Sequence, residues 1–326
     1  MTDAVVFLRK AVRFTVRYIL HYFTPGRFVA PPAPTLSVET TNLCNSRCVF
    51  CANGAMRRAR QALDMRLFEK AVREAQEAGS TSVVFNPTIG DPLLDPRFIE
   101  RVRCISRYPQ IKNVGMITTL QWLHLFDLQE LFSLNITWIS VSTCLSGPET
   151  YRQFFGVDLY DQMLTNLKRL LLENARRGNQ LEVRIDIKPT NQPVSEVLCH
   201  ADFNAVLEIV KDAESIVTQV RKNDFYVDDW GGAVRLPPFL KRKPILPRAF
   251  NPCRELYWGL VVYSNGNVGA CACRDFEADS DLVLGHLSQN HLMELWRGET
   301  LAHLRSSWRK YNGVPSICKT CTHYVY

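Results

Sequence analysis

A chain of 326 residues, 46% of them hydrophobic, can bury a full-sized core, and its length suits one large domain with a smaller extension. The formal net charge of +7 is scattered over short basic clusters, Met56 to Arg60 and Lys241 to Lys243, so no nucleic-acid partner is expected. Eleven cysteines, an odd number falling mostly in tight groups, suit metal ligation in a reducing cytoplasm better than a disulfide framework.

Residues 1–34 form an N-terminal segment whose apolar residues are interrupted by Arg9, Lys10, Arg13 and Arg17, which excludes a membrane span and a signal peptide. On a helix over residues 4–23 these charges make one basic stripe, with Val5, Leu8, Val12, Val16 and Ile19 among the residues covering the rest. Two readings stay open: peripheral contact with the anionic inner face of a membrane, or packing against the main domain or a partner. The Pro-rich stretch Val29 to Pro34 ends the segment.

Over residues 35–227, six strand-like runs alternate with helical patterns: Thr35 to Thr41, Ser82 to Asn86, Asn113 to Thr118, Ile136 to Ser142, Leu181 to Lys188 and Ile216 to Val220. This predicts an α/β fold with a parallel sheet, open or closed as a barrel. Helices are predicted over Met65 to Ala78, with Asp64 as N-cap, and over Leu159 to Arg177, stopped by Gly178. The texture changes at Asp228, so residues 228–326 are expected to form a second domain, with a hairpin of Trp258 to Ser264 and Val268 to Ala272 turning at Asn265-Gly266.

Cys44-x3-Cys48-x2-Cys51 follows the first predicted strand, which puts three thiols on one loop at the C-terminal edge of the sheet, where such folds place their sites. Three ligands on one loop can hold three irons of a cubane cluster and leave the fourth open. Structural zinc normally takes four protein ligands, and the next cysteine in the chain is Cys104.

Cys-Asn-Ser-Arg-Cys-Val-Phe-Cys resembles the signature of the radical S-adenosylmethionine (SAM) enzymes, including an aromatic, Phe50, before the third cysteine. The resemblance implies a partial (β/α)6 barrel, a 4Fe-4S cluster whose open iron binds SAM, and reductive cleavage of SAM to a 5′-deoxyadenosyl radical that abstracts a substrate hydrogen. It also implies a flavodoxin- or ferredoxin-type electron donor. Gly90-Asp91-Pro92 is similar to the family's stretch that meets the SAM amino group, with Asp91 in place of glutamate. Ser142 and Lys188, at the ends of the fourth and fifth strands, are candidates for the SAM carboxylate or ribose.

Cys253, Cys271, Cys318 and Cys321 give the spacing C-x17-C-x46-C-x2-C, which suits an all-cysteine zinc site or a fully ligated 4Fe-4S cluster. Their surroundings resemble the SPASM and twitch extensions of radical SAM enzymes, which favours one auxiliary 4Fe-4S cluster, with Cys273 as an alternative to Cys271. Only five cysteines lie beyond residue 250, too few for the two clusters of a full SPASM domain.

The resemblance implies dehydrogenation or epimerisation of a sugar, aminocyclitol or lipid-linked carbohydrate. An auxiliary cluster suits dehydrogenation, which must remove an electron after the hydrogen atom. Epimerisation needs a hydrogen donor, and Cys144, directly after strand four, is the candidate thiol; a buried hydrophobe is its plainer role. Cys104 and Cys199 are expected in the core. Arg221, Asp224, Asp228, Asp229 and Trp230 are candidates to line a substrate pocket, or are linker residues. The rival functions are ribosomal-peptide maturation, which the short 34-residue segment before the first strand disfavours, and a non-catalytic metal or electron-transfer protein.

Overall fold

A computed structural model describes residues 35–188, 190–211, 226–245, 253–307 and 313–323. Five strands run parallel in chain order: β1 (Thr35–Val38), β2 (Ser82–Phe85), β3 (Asn113–Thr118), β4 (Trp138–Thr143) and β5 (Glu182–Ile187). The crossovers carry α1 (Met65–Glu77), α2 (Phe98–Ser106), α3 (Leu128–Ser133), α4 (Pro148–Phe155) and α5 (Tyr160–Arg176), and β5 is followed by α6 (Val194–Cys199) and α7 (Ala201–Val210). This is the expected mixed α/β architecture with the parallel sheet of a partial barrel. The predicted sixth strand, Ile216 to Val220, lies outside the described residues, as do the segment 1–34, Arg221 and Asp224.

Local signals in the chain account for several boundaries. The Asp64 carboxylate accepts from the amides of Arg66 (2.8 Å) and Leu67 (3.2 Å), which otherwise lack partners at a helix start, so α1 begins at Met65. After α5, Gly178 turns at φ +73°, as its place past the last helical residues predicts.

Side chains alternate along the strands. Leu36, Val38, Val83, Phe85, Val141 and Ile185 are fully buried, and burial of this kind is worth roughly 1.5–3 kcal/mol per large aliphatic or aromatic side chain. Residues of the other phase, including Ile117, Ser140, Ser142 and Asp186, line a cavity. The period of two therefore decides which strand residues support the fold and which are left for the site.

The C-terminal region continues the same sheet. Strands β8 (Gly259–Val262), β9 (Asn267–Gly269) and β10 (Val283–His286) extend it in the order β10-β9-β8-β1-β2-β3-β4-β5. β8 lies parallel to β1, Thr35 opposite Gly259 and Val38 opposite Val262. A Cβ at position 259 would stand 2.1 Å from the Thr35 carbonyl oxygen, so only glycine allows this approach. The hairpin turn differs from a two-residue Asn-Gly turn: Gly266 has φ +87° and Asn265 no positive φ, Gly266 N–H donates to Tyr263 O, and Tyr263 N–H donates to Asn267 O. A three-residue loop with one left-handed glycine fits the strand twist equally well. Two-residue strands β6 (Tyr226–Val227) and β7 (Lys241–Arg242) pair apart from this sheet, and α8 (Leu292–Arg297), α9 (Glu299–Ser307) and α10 (Ser316–Thr320) follow the hairpin.

A buried ion pair joins the two regions. Arg58 reaches both Glu39 oxygens at 2.6 and 2.5 Å, and Glu39 also accepts from the amide (3.1 Å) and hydroxyl (2.7 Å) of Ser264.

Candidate active site

The loop after β1 carries Cys44, Cys48 and Cys51, and all three line one cavity of about 450 Å³ at the C-terminal ends of the strands. Its shape is held from within and from without. Cys51 N–H donates to Cys48 O (3.1 Å), and the Cys51 sulfur accepts from the amide of Asn53 (3.4 Å). Asn53 donates to Ser46 O (2.9 Å), while Arg60 donates to Asn53 O (2.7 Å). From α4, the carbonyls of Phe155 and Phe154 accept from Arg47 N (2.9 Å) and Val49 N (3.0 Å). Phe50 meets the edge of Phe155, which stacks on Tyr151, and Gln121 donates to the Tyr151 hydroxyl (2.6 Å) and the Ser46 hydroxyl (3.1 Å).

Burial pushes the Cys44 thiol up to about 12, with the Asp91 carboxylate adding to the shift. Burial raises Cys48 too, reinforced by Cys51 and Cys44, and it raises Cys51, opposed by the Asn53 amide and the cations Lys188 and Arg60. Three partly buried thiols converging on one cavity, each with its thiolate disfavoured by its surroundings, suit a cationic iron centre that offsets that cost. The donor set fits a three-cysteine cluster.

The other predicted SAM contacts are on the same cavity: Phe50, Gly90, Asp91, Ser142 and Lys188 all line it. Gly90 has φ +87°, and a Cβ there would lie 2.1 Å from Thr41 O. Asp91 is 1% exposed, and its carboxylate accepts from Thr118 Oγ1 (2.8 Å), Thr119 N (2.8 Å) and Thr119 Oγ1 (2.7 Å) as well as Leu93 N (3.1 Å). It thus ties the loop after β2 to the end of β3. Pro92 begins the 3₁₀ turn that Asp91 caps and is not on the cavity wall. Lys188 is ion-paired with Asp186. Asn86, which the sequence reading did not single out, holds the approach of the two loops: its side chain accepts from Thr40 N (3.1 Å) and donates to Thr41 O (2.7 Å).

Cys144 takes the plainer of its two readings, and Cys199 lies elsewhere than expected. Cys144 is wholly buried and absent from the cavity wall, with its thiol pushed up to about 12 by burial; the chain turns it into the core after β4. Cys199, expected in the core, is exposed at the end of the short α6, whereas Cys104 is buried as expected. The thiol beside the site is Cys273, which lines the cavity together with Arg274 and His323. It also lies within reach of Glu255 and His323, their ligand atoms all within 4.8 Å of one another.

Cys253, Cys271, Cys318 and Cys321 line a second, smaller pocket with Glu255, Leu256, Leu282 and Ile317. Cys273 is not on its wall, although its thiol is held up first by a hydrogen bond to Cys271 and then by burial. The Cys271 sulfur accepts from the Cys273 amide (3.4 Å), and the Cys321 sulfur from the His323 amide (3.3 Å). Arg274 lines both pockets. Its Nε–H is buried with no hydrogen-bond partner among the described residues, a donor that the anionic sulfur of a cluster would satisfy.

A family model described as the radical SAM superfamily matches residues 38–179, and one described as an iron-sulfur cluster-binding domain, SPASM, matches residues 253–322. The chain belongs to the radical SAM superfamily. Its cofactors are therefore a 4Fe-4S cluster with SAM, and its C-terminal SPASM region binds auxiliary iron-sulfur. A GTP 3′,8-cyclase of a Picosynechococcus strain is 28% identical over 134 residues, 38% of this chain and 39% of that protein, so the match spans about two fifths of that relative.

Among solved structures, BtrN in complex with AdoMet and 2-DOIA superposes with a TM-score of 0.59 at 18% identity, covering 90% of this chain and 95% of BtrN. Streptococcus suis SuiB bound to precursor peptide SuiA gives 0.57 at 14% identity, covering 100% of this chain and 78% of SuiB. At such identities the likeness concerns the fold alone. This radical SAM chain has no helix among the described residues that is long and apolar enough to cross a membrane.

Of the proposed substrate-pocket residues, Asp228 and Trp230 line the main cavity, while Asp229 is turned to an ion pair with Arg242 (2.7 Å).

Proposed function

We propose that this radical SAM enzyme is a dehydrogenase of a small polar, carbohydrate-like substrate. In this reading Cys44, Cys48 and Cys51 hold the SAM-binding cluster, and Cys253, Cys271, Cys318 and Cys321 hold one auxiliary cluster. When bound, cluster and SAM together supply a 5′-deoxyadenosyl radical that removes a hydrogen atom from the substrate. The single observation that carries the assignment is the adjacency of the two cysteine sites, which share Arg274 as a common wall. Turning an alcohol into a ketone takes a hydrogen atom, a proton and one further electron, so an electron acceptor beside the cavity favours oxidation.

The chain's residues support the substrate class. Asp186, Lys188, Asp228 and Lys243 offer charged hydrogen-bonding groups, and Trp230 an apolar face, within one cavity of small-molecule size. A lipid-linked substrate approached from a membrane, and a flavodoxin- or ferredoxin-type donor, extend the proposal and rest on the family resemblance and the N-terminal sequence.

Epimerisation is the second reading, and the placement of Cys273 on the cavity wall favours it, with this thiol in the role first considered for Cys144. Turnover of sugar alcohols and aminocyclitols with SAM and dithionite in D2O separates the two. Dehydrogenation yields a ketone and one 5′-deoxyadenosine per product. Solvent deuterium at an inverted carbon, lost in Cys273→Ala, would select epimerisation. SAM cleavage with no product from any of these compounds would contradict the substrate class.

A further inference from the structure

Arg274 is 8% exposed and touches both sites. Its guanidinium is ion-paired with Asp228, lies 5.0 Å from the centre of the Trp230 ring and donates to the Cys273 carbonyl, and the residue shares the wall of the smaller pocket with Cys321. Each of these groups is itself fixed. Asp228 Oδ1 accepts from Thr322 Oγ1 and Trp230 N, both at 2.7 Å. Trp230 packs edge-on against Phe276 at 5.9 Å and donates its indole N–H to Phe50 O at 2.9 Å, inside the three-cysteine loop. A continuous run of contacts therefore leads from the loop of Cys51 through Trp230 and Arg274 to the pocket of Cys321.

A guanidinium is permanently charged, and in a buried site its field is little screened. A cluster that gains an electron becomes more negative, so a fixed positive charge beside a ligand sulfur favours the reduced form, and Asp228 partly cancels that charge. We propose that Arg274 is a positioning residue shared by the two iron-sulfur sites: it raises the reduction potential of the C-terminal cluster through Cys321 and, by gripping Asp228 and Trp230, fixes the wall of the SAM cavity. The inference depends on the C-terminal cluster and not on the reaction class proposed above.

The test is a redox titration followed by electron paramagnetic resonance on the full chain carrying Cys44→Ala/Cys48→Ala/Cys51→Ala, so that only the C-terminal cluster is observed. Arg274→Gln is expected to change the reduced-to-oxidised ratio at fixed potential about tenfold towards the oxidised form, which for one electron is about 59 mV more negative. Arg274→Lys should restore most of the shift, and Asp228→Asn should move the midpoint the other way. Arg274→Gln with full cluster content and an unshifted midpoint would overturn the proposal. Should Arg274→Gln fail to retain iron, Asp228→Asn decides: a more positive midpoint upholds the proposal and an unchanged one overturns it.

Discussion

The Trp230 indole donates a hydrogen bond to the Phe50 carbonyl across 2.9 Å, joining residues 180 positions apart. Through it, the segment leading to the C-terminal cysteine pocket braces the loop that carries Cys44, Cys48 and Cys51. Trp230→Phe keeps the ring and removes the N–H, with a stability cost of about 1 kcal/mol. The expected outcome is unchanged iron content with slower SAM cleavage, read by 5′-deoxyadenosine release. A cleavage rate equal to wild type would mean that the loop needs no such brace.

The Glu39–Arg58 pair ties the parallel core to the C-terminal hairpin, with Glu39 fully buried. Arg58→Met strands that carboxylate, and removing one partner of a buried pair costs about 3–5 kcal/mol. Thermal unfolding should show a large fall in midpoint, and the double variant Glu39→Gln/Arg58→Met a smaller one. Equal losses in both would show that the carboxylate is not what the arginine compensates.

Gly90 occupies a left-handed conformation against Thr41 O. Gly90→Ala should displace the two loops that frame the cavity proposed to bind SAM, with strain of about 1–3 kcal/mol. SAM affinity by equilibrium binding should drop while the auxiliary cluster's spectrum stays the same. Wild-type affinity would place SAM away from this turn.

Cys144 gives a pH dependence whose sign follows from its burial. Its thiol is raised from the ordinary 9.0 to about 12, so the unfolded chain loses this proton first as pH rises. Its contribution to stability is whole below about pH 9 and disappears as pH climbs towards 12. Denaturant unfolding of Cys144→Ala should therefore fall less steeply over that window than wild type. In the native protein at neutral pH, iodoacetamide should label exposed Cys199 and spare Cys144, as peptide mass spectrometry would report.

The sequence made legible what depends on neighbours in the chain. Asp64 caps α1, Gly178 follows α5, and the Cys44, Cys48 and Cys51 spacing puts three thiols on one loop. What depends on long-range pairing was hidden. Whether a residue just past a strand faces the cavity or the core is decided by the turn of the chain, and Cys144 turns inward. Cys273 and Arg274 reach the cavity because β8 pairs with β1, a contact between residues more than two hundred positions apart. The local signal available for Arg274 was its place directly after Cys271 and Cys273. Asp91 was found by its motif, yet its engagement by Thr118 and Thr119 could be seen only once β3 was placed beside β2.

The most direct test of the account is made on anaerobically reconstituted protein, measuring iron, sulfide and 5′-deoxyadenosine formed with SAM and dithionite, for wild type and Cys44→Ala/Cys48→Ala/Cys51→Ala. Two 4Fe-4S clusters predict about eight irons per chain in wild type, and about four with SAM cleavage abolished in the triple variant. Well-loaded protein that leaves SAM intact, or a triple variant that still cleaves it, would contradict the assignment of the catalytic cluster.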